Sequence, residues 1–466
     1  MTEGTPGGRM SGFESLMWTL ESDPRLSSNI ANLTLLDRAP DLGKFRERLE
    51  LAVADIPRFH QRVAPPALGV GAPQWVTDDA FDLDRHLLHV DLGRVSRRRL
   101  LDEVMEHVAA PFDRDHPLWQ FVVFDGLRDG RSAMLQRLHH TVTDGEGGLR
   151  VSLKFIDFER TPGTGAPIPP SAQASAPPQP GGWQTRVASV VSGTARAMEG
   201  ARNAAVEVTR HAVSPSRLLD DARTVVEQSA SILRQANLAD QRLSPLWTEH
   251  STARHLDLTD VALDEVRAAA HALGGSVNDL FVTAITDAAG RYHRRHGHDV
   301  DYLRMSMPIS LRQGVKDASN HFTPTQTVVP VGQMAPATRF TAIQALLAHT
   351  RDEPGMTRVD NLASLLNLLP PPVVTRLGVR AAGTVDFVTS NLRAAPIDVF
   401  MAGALVESNY PIGPLATTAF NVTTMSYRGR MWMGVVSDPA AIDDPEGLTR
   451  DVNASLRDLL RSAGGM

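Results

Sequence analysis

Proline decides first how this chain is divided. Between residues 162 and 180 it carries Pro162, Pro167, Pro169, Pro170, Pro177, Pro178 and Pro180, interleaved with Gly, Ser and Ala. Proline has a fixed φ and no backbone N–H, so neither a helix nor a central strand runs through such a stretch. It reads as a flexible, partly polyproline linker. Folding must therefore take place on either side of it. At 466 residues the chain is long enough for two domains of ordinary size. The expected division is residues 1–160, a connecting region 161–240, and residues 241–466.

The connecting region also holds two amphipathic stretches, Trp183 to Ala212 and Ser216 to Asn237. The first carries Val187, Val190, Val191, Ala195 and Met198; the second carries Leu218, Leu219, Val225, Val226, Ile232 and Leu233. They read as connecting helices packed on the body, or alternatively as a lipid-facing or lid element. Their mixed charge does not match the usual cationic membrane helix.

Both flanking regions alternate helical and strand patterns. Leu42, Phe45, Leu49 and Val53 share one face of a helix over 41–54. Leu100, Leu101, Val104 and Val108 do the same over 97–110, and Pro111 stops that helix. Strands are expected over Gln120 to Asp125 and Ser132 to His140. In the second region Leu263, Val266, Ala270 and Leu273 form a helix face ended by Gly274-Gly275. Ser276 with Asp279 three residues on reads as a capping-box-like helix start. Strands follow at Tyr302 to Pro308, Thr325 to Val331, Phe420 to Tyr427 and Arg430 to Ser437. The last two form a hairpin around Arg428-Gly429.

Composition narrows the function classes. The chain is 42% hydrophobic and 21% charged, ordinary for a globular protein. A net charge of -6 and the lack of a basic stripe argue against nucleic acid as a partner. With no cysteine, disulfides, thiol catalysis and zinc-thiolate sites are excluded. The first fifteen residues have no signal-peptide pattern, and no stretch of about 20 apolar residues exists. The expected location is the cytoplasm, with any membrane contact peripheral.

Chemistry concentrates at His139-His140-Thr141-Val142-Thr143-Asp144-Gly145. The segment before it reads as a strand, so His139 and His140 are expected to point opposite ways. The pattern supplies an imidazole, a nearby carboxylate and a glycine where substrate can pass. Histidine is the usual general base near neutral pH. A metal site built on His140 and Asp144 lacks a third ligand at a convincing spacing, and no metal is expected.

HHxxxDG resembles the signature of CoA-dependent acyltransferases of the chloramphenicol acetyltransferase, condensation-domain and wax synthase type. Further segments resemble the bacterial wax ester synthase/diacylglycerol acyltransferase family. They are Pro111 to Trp119, with its PLW; Gly274-Gly275-Ser276-Val277-Asn278-Asp279; Met307 to Arg312; Thr389-Ser390-Asn391; and Tyr410-Pro411-Ile412-Gly413-Pro414-Leu415. The stretch from Met10 to Glu21 is similar to that family's N-terminal segment, with Glu14 where the family usually has Asp. After Asn391 the chain reads Leu392-Arg393-Ala394-Ala395-Pro396, where the family tends to read VPGP.

The resemblance implies an α/β (α+β) fold of two chloramphenicol acetyltransferase-like domains. Each is a mixed sheet flanked by helices, with a channel at the interface. It implies transfer of a fatty acyl group from acyl-CoA to diacylglycerol or a long-chain alcohol. His140 is the general base, His139 supports it, Asp144 is structural and Gly145 leaves channel space. Arg312 or Arg62 is the partner of Asp144. Asn278, Asp279, Ser390 and Asn391 are the substrate-side candidates; Asp279 also reads plainly as a helix cap, Asn278 and Asn391 as turn residues, and Ser390 is not expected to be a nucleophile. No cofactor is needed, since acyl-CoA is itself a substrate. The implied partners are acyl-CoA, a lipid alcohol, and a membrane or lipid-droplet surface. Two other readings stand: an acyltransferase fed by a carrier-protein thioester, and a non-catalytic lipid-binding relative.

Overall fold

The computed structural model describes residues 8–65, 72–142, 152, 154–161, 242–310, 322–352, 363, 366–367, 369–394 and 397–464. Residues 1–162 and 238–466 belong to one compact unit. The proline-rich stretch and the two amphipathic stretches after it lie outside the described residues.

The first six-stranded sheet is built around β1 (Asn29–Leu36), β4 (Leu87–Val95), β5 (Trp119–Leu127) and β6 (Ser132–His139). Strands β5 and β6 and strands β6 and β1 pair antiparallel, while β4 and β5 run parallel. Every residue of β6 is buried, so both faces of this sheet must be covered. Alternation divides the covering between two clusters. Met134 and Leu138 pack with Phe45 and Leu49 of α2 (Leu42–Asp55). Ala133 and Leu135 pack with Leu100, Leu101 and Val104 of α3 (Arg97–Ala109). Asp41 and Ser96 cap these helices, each accepting a backbone N–H.

The second sheet runs β7 (His255–Ala262), β14 (Arg430–Ser437), β13 (Phe420–Tyr427), β10 (Phe387–Arg393), β8 (Tyr302–Ser310), β9 (Phe322–Pro330). It too is mixed: β13, β10 and β8 are parallel neighbours, and the other pairs are antiparallel. Helices α4 (Leu263–Ala272), α5 (Val277–Arg295), α6 (Pro336–Asp352) and α8 (Pro445–Gly464) supply apolar side chains to one face, packing with Phe387, Val422 and Met433. The opposite face meets the first half. Trp432 packs edge-on against Tyr410 with centroids 5.2 Å apart, and Val436 joins the cluster of Leu33 and Leu135.

The two halves are not consecutive in space. Strands β11 (Phe400–Met401) and β12 (Ala404–Ile412) come from the second half of the chain and complete the first sheet. Strand β12 pairs antiparallel with β1, from Ala31 opposite Ile412 to Thr34 opposite Asn409. A second tie joins α1 (Gly12–Leu20) to α7 (Pro371–Ala382). There Ser22 and Thr375 lie 2.8 Å apart, and Asn367 donates to the Gly12 carbonyl at 2.7 Å.

Some boundaries differ from the pattern of the residues. Strand β5 extends to Trp119 and Leu127 because β6 and β4 offer partners for both ends. Strand β6 stops at His139 rather than His140, since the chain turns there: the Val142 N–H bonds back to the His139 carbonyl at 2.9 Å.

Candidate active site

His139 is the last residue of β6, opposite Asn29 of β1. Its backbone N–H donates to the Leu118 carbonyl at 2.9 Å, which ties the Pro-Leu-Trp segment to the histidine pair. The next N–H, of His140, donates to the Ser28 carbonyl at 3.0 Å. The His139 ring is 1% exposed. Its Nδ1 accepts the Thr141 backbone N–H at 3.2 Å and lies 2.7 Å from the Thr141 hydroxyl. A nitrogen that accepts an N–H carries no proton of its own. The ring proton is therefore on Nε2, which donates to Glu21 Oε2 at 2.8 Å.

Glu21 is the C-cap residue of α1. Its Oε1 accepts the Ser28 N–H at 3.1 Å and the Ser27 hydroxyl at 3.2 Å. Arg114 approaches Oε2 at 3.4 Å, also donates to the Trp18 carbonyl, and lies over the Trp18 ring at 4.0 Å. Burial pushes the Glu21 carboxyl up, but the hydrogen bonds from His139 and Ser28 and the charge of Arg114 hold it below its ordinary value. The N-terminal segment, the Pro111 to Trp119 segment and the histidine pair thus meet at one carboxylate.

Two residues before His139, Arg137 is buried, stacked on Phe112 at 4.2 Å and bonded to the carbonyl of Ala110, the C-cap of α3. Burial pushes its guanidinium down to about 10. Trp119 is core, 1% exposed, its indole N–H donating to the Phe59 carbonyl at 2.9 Å.

His140 is half-buried and is the first residue of the turn. Strand alternation therefore does not govern its direction. Asp144 and Gly145 lie outside the described residues, as does Arg312. Arg62, the other candidate partner of Asp144, sits in β2 (Gln61–Ala64).

At the start of α5, in the half that carries the second sheet, Ser276 and Asp279 form a full capping box. Asp279 Oδ2 accepts both the backbone N–H and the hydroxyl of Ser276 at 2.8 Å, and the Asp279 N–H returns to Ser276 Oγ at 3.2 Å. Asn278, one residue earlier, accepts from Asn391 Nδ2 at 3.2 Å. The Asn278-Asp279 and Ser390-Asn391 segments are thereby joined. Asn391 lies in β10 rather than in a turn. Ser390 falls on the other face, in register with Thr423 of β13. That face is the one turned toward the first half. A Cβ added at Gly413, just past β12, would come within 2.6 Å of Thr423 Oγ1 and 2.5 Å of Asn421 Nδ2. Gly413 is therefore a close-approach position as much as a turn residue. A cleft between the halves is lined by Ser27, Asn29, Ala109, Arg254, Leu415 and Val436.

Glu21, Thr141 and Arg114 lie inside segments that resemble the family, and Ser28 lies outside them, but none of the four is among the expected site residues. Glu21 and His139 are 118 residues apart, and an acidic residue at a helix end resembles any other surface carboxylate. Among the described residues no group of His, Asp and Glu is placed to hold a metal ion.

The wax ester synthase/diacylglycerol acyltransferase catalytic-domain family model matches residues 10–281, and the corresponding C-terminal-domain model matches residues 318–460. A putative diacylglycerol O-acyltransferase of Mycobacterium tuberculosis H37Rv is 34% identical over 97% of this chain and 91% of its own length. A probable diacylglycerol O-acyltransferase of strain CDC 1551 is 26% identical over 94% of this chain and 92% of its own. Among solved structures, the wax ester synthase/diacylglycerol acyltransferase of Marinobacter aquaeolei VT8 superposes with a TM-score of 0.63 at 19% identity, covering 98% of this chain and 100% of that one. The first condensation domain of the calcium-dependent antibiotic synthetase gives 0.60 at 16% identity, covering 99% and 97%. At these identities the structures share the fold: two chloramphenicol acetyltransferase-like domains.

Proposed function

The chain belongs to the wax ester synthase/diacylglycerol acyltransferase family, and on that premise we propose how it acts: as an O-acyltransferase that moves a fatty acyl group from acyl-CoA to diacylglycerol, and to long-chain alcohols, with His140 as general base. The observation that carries the assignment to His140 is the occupation of its neighbour. Both ring nitrogens of His139 are engaged, one by Glu21 and one by Thr141, and the ring is buried. A general base must reach the proton it takes. Of the paired histidines, His140 is the one with partial exposure.

The acceptor hydroxyl gives its proton to the imidazole of His140 as its oxygen attacks the thioester carbonyl. A tetrahedral oxyanion forms. It collapses to the ester, the C–S bond breaks, and the departing CoA thiolate takes the proton back from His140. General-base assistance of this kind is worth about 10²–10⁴-fold. Asn278 at the start of α5 and Asn391 of β10, linked by a hydrogen bond, are the substrate-side polar residues, with Ser390 on the face toward the first half and Asp279 holding the helix start. Asp144 fixes the loop after the histidines and Gly145 leaves room beside it. We assign residues 1–160 and 241–466 as the two acyltransferase domains.

The acceptors are poorly soluble, so the enzyme meets them at a lipid surface, on a membrane or a lipid body. No helix among the described residues is long and apolar enough to cross a membrane, which favours peripheral contact. The amphipathic stretches in 183–237 are the candidate contact elements.

The test is a product assay with labelled palmitoyl-CoA, offering diacylglycerol and hexadecanol separately, on wild type and His140→Ala. Wild type forms triacylglycerol, and His140→Ala, folded, loses at least about 10²-fold in kcat. A folded His140→Ala protein with near wild-type kcat refutes the base assignment.

A further inference from the structure

We propose that Glu21 is a positioning residue for acyl transfer, holding His140 in place from two sides through Ser28 and His139. The inference rests on the assignment of His140 as base.

Glu21 reaches the peptide chain on both sides of the reacting histidine. Its Oε1 takes the Ser28 N–H at 3.1 Å, and the carbonyl of that same Ser28 takes the His140 N–H at 3.0 Å. Its Oε2 takes Nε2–H of His139 at 2.8 Å, fixing the ring of the residue before His140. One carboxylate thus links the end of α1, the start of β1 and the turn that ends β6. Within the turn that carries His140, the Thr141 N–H donates to Nδ1 of His139 and the Val142 N–H closes on the His139 carbonyl, so the His139 residue that Glu21 fixes is also the one on which the turn folds back. Edge packing of Trp18 on His139, with centroids 6.2 Å apart, presses the same ring from the helix side.

Only a carboxylate fits this place. It must accept on both oxygens, and every neighbour is a donor: Ser28 N–H, Ser27 hydroxyl, His139 Nε2–H and Arg114. An amide of the same shape accepts on one side and presents N–H to a donor on the other. His139 has no tautomer that relieves the clash. Moving its proton to Nδ1 would let Nε2 accept from the amide, but Nδ1 would then face the Thr141 N–H. The ring or the Ser28 peptide must shift, and His140 shifts with it. Misplacement of a catalytic group by about 1 Å costs on the order of 10²-fold in rate.

The experiment compares wild type, Glu21→Gln, His140→Ala and the double variant, each shown to be folded by circular dichroism and thermal melting. The rate of CoA release from palmitoyl-CoA in the presence of diacylglycerol is measured. Glu21→Gln is expected to lower kcat by roughly 10- to 100-fold with KM for palmitoyl-CoA within about twofold. On the His140→Ala background, Glu21→Gln is expected to add nothing, because no base remains to be positioned. A folded Glu21→Gln protein with kcat within about twofold of wild type overturns the proposal. So does a further tenfold loss on the His140→Ala background, which would give Glu21 a role independent of His140. If instead His140→Ala alone keeps full activity, it is the base assignment that fails. Should Glu21→Gln not fold, Glu21→Asp keeps the charge but draws it back by one methylene; full kcat in that variant equally overturns the positioning role.

Discussion

Gly434→Ala tests the close approach of the two sheets that the catalytic arrangement depends on. Gly434 lies in β14, and the face it presents packs on β12, which belongs to the other sheet. A Cβ placed there would lie 2.3 Å from the Pro411 carbonyl oxygen and 3.3 Å from its carbon. A carbon and an oxygen ordinarily stay about 3.3 Å apart or more, so about 1 Å must be found. Neither backbone yields easily: β14 is paired on both sides, and β12 is held against β1. Overpacking by a methyl group usually costs about 1–3 kcal/mol, and a clash between two main chains belongs at the upper end. With roughly 2 cal/mol/K of unfolding entropy per residue, each kcal/mol corresponds to about 1 °C in a body of this size, so the melting midpoint should fall by about 2–3 °C. Activity should fall as well, because the shift moves Gly413 to Leu415 at the cleft between the halves. The contrast is Gly429→Ala in the β13–β14 hairpin. Its φ is +71° with nothing within 4 Å of the added Cβ, so it strains one exposed turn and leaves the sheets where they are. It should cost about 1 kcal/mol and leave kcat/KM unchanged. The assay is differential scanning calorimetry beside the CoA-release rate. If Gly434→Ala melts with wild type at full kcat/KM, the sheets do not meet as described.

Four further outcomes follow from the same geometry. Asp386, fully buried, accepts the backbone N–H of Ser244 at 3.1 Å and of Arg304 at 2.7 Å; Asp386→Asn turns an N–H toward one of these donors and should cost about 1–3 kcal/mol in chemical denaturation, and an unchanged midpoint would count against the network. His293 is pushed down to about 4 by burial, from an ordinary 6.5. Between those values only the unfolded chain takes up the proton, so acidification across that window lowers stability, and the melting midpoint of His293→Gln should depend less steeply on pH over the same range. Asn391→Ala, which breaks the link to Asn278, should raise KM for the acceptor with a melting midpoint within about 1 °C; an unchanged KM would remove it from the substrate side. Deleting residues 183–237 should reduce co-sedimentation with phosphatidylcholine liposomes, and undiminished binding by a folded variant would return those stretches to a packing role.

Local chemistry explains which elements the residues announce. The hairpin at Arg428-Gly429 is legible because both residues take positive φ, +46° and +71°, and because β-branched and aromatic residues flank it. The start of α5 is legible because Ser276 and Asp279 satisfy each other within four residues. Strands β1, β4 and β12 are not, since their identity depends on partners far away: Ala31 needs Ile412, and Leu87 needs Phe121. The same division runs through the site. His139 and His140 stand out as a pair, and the Asn278 and Asn391 segments stand out as motifs. That Asn278 and Asn391 touch, or that Glu21 closes on His139, follows only from long-range folding.

The passage of β12 into the first sheet has a consequence for biosynthesis. During translation, β1 emerges early, but the strand that covers its free edge is made nearly four hundred residues later. Until then the β1 edge is an unpaired row of backbone donors and acceptors beside apolar side chains, an invitation to pair with another chain. The first half cannot be finished before most of the second has left the ribosome. Contacts of such sequence separation are slow to form. Fragments that end at the proline-rich stretch should therefore aggregate rather than fold, and co-expressed halves should rescue one another only if the second includes residues 400–412. The active enzyme is assembled late, by a strand that arrives from the far end of the message.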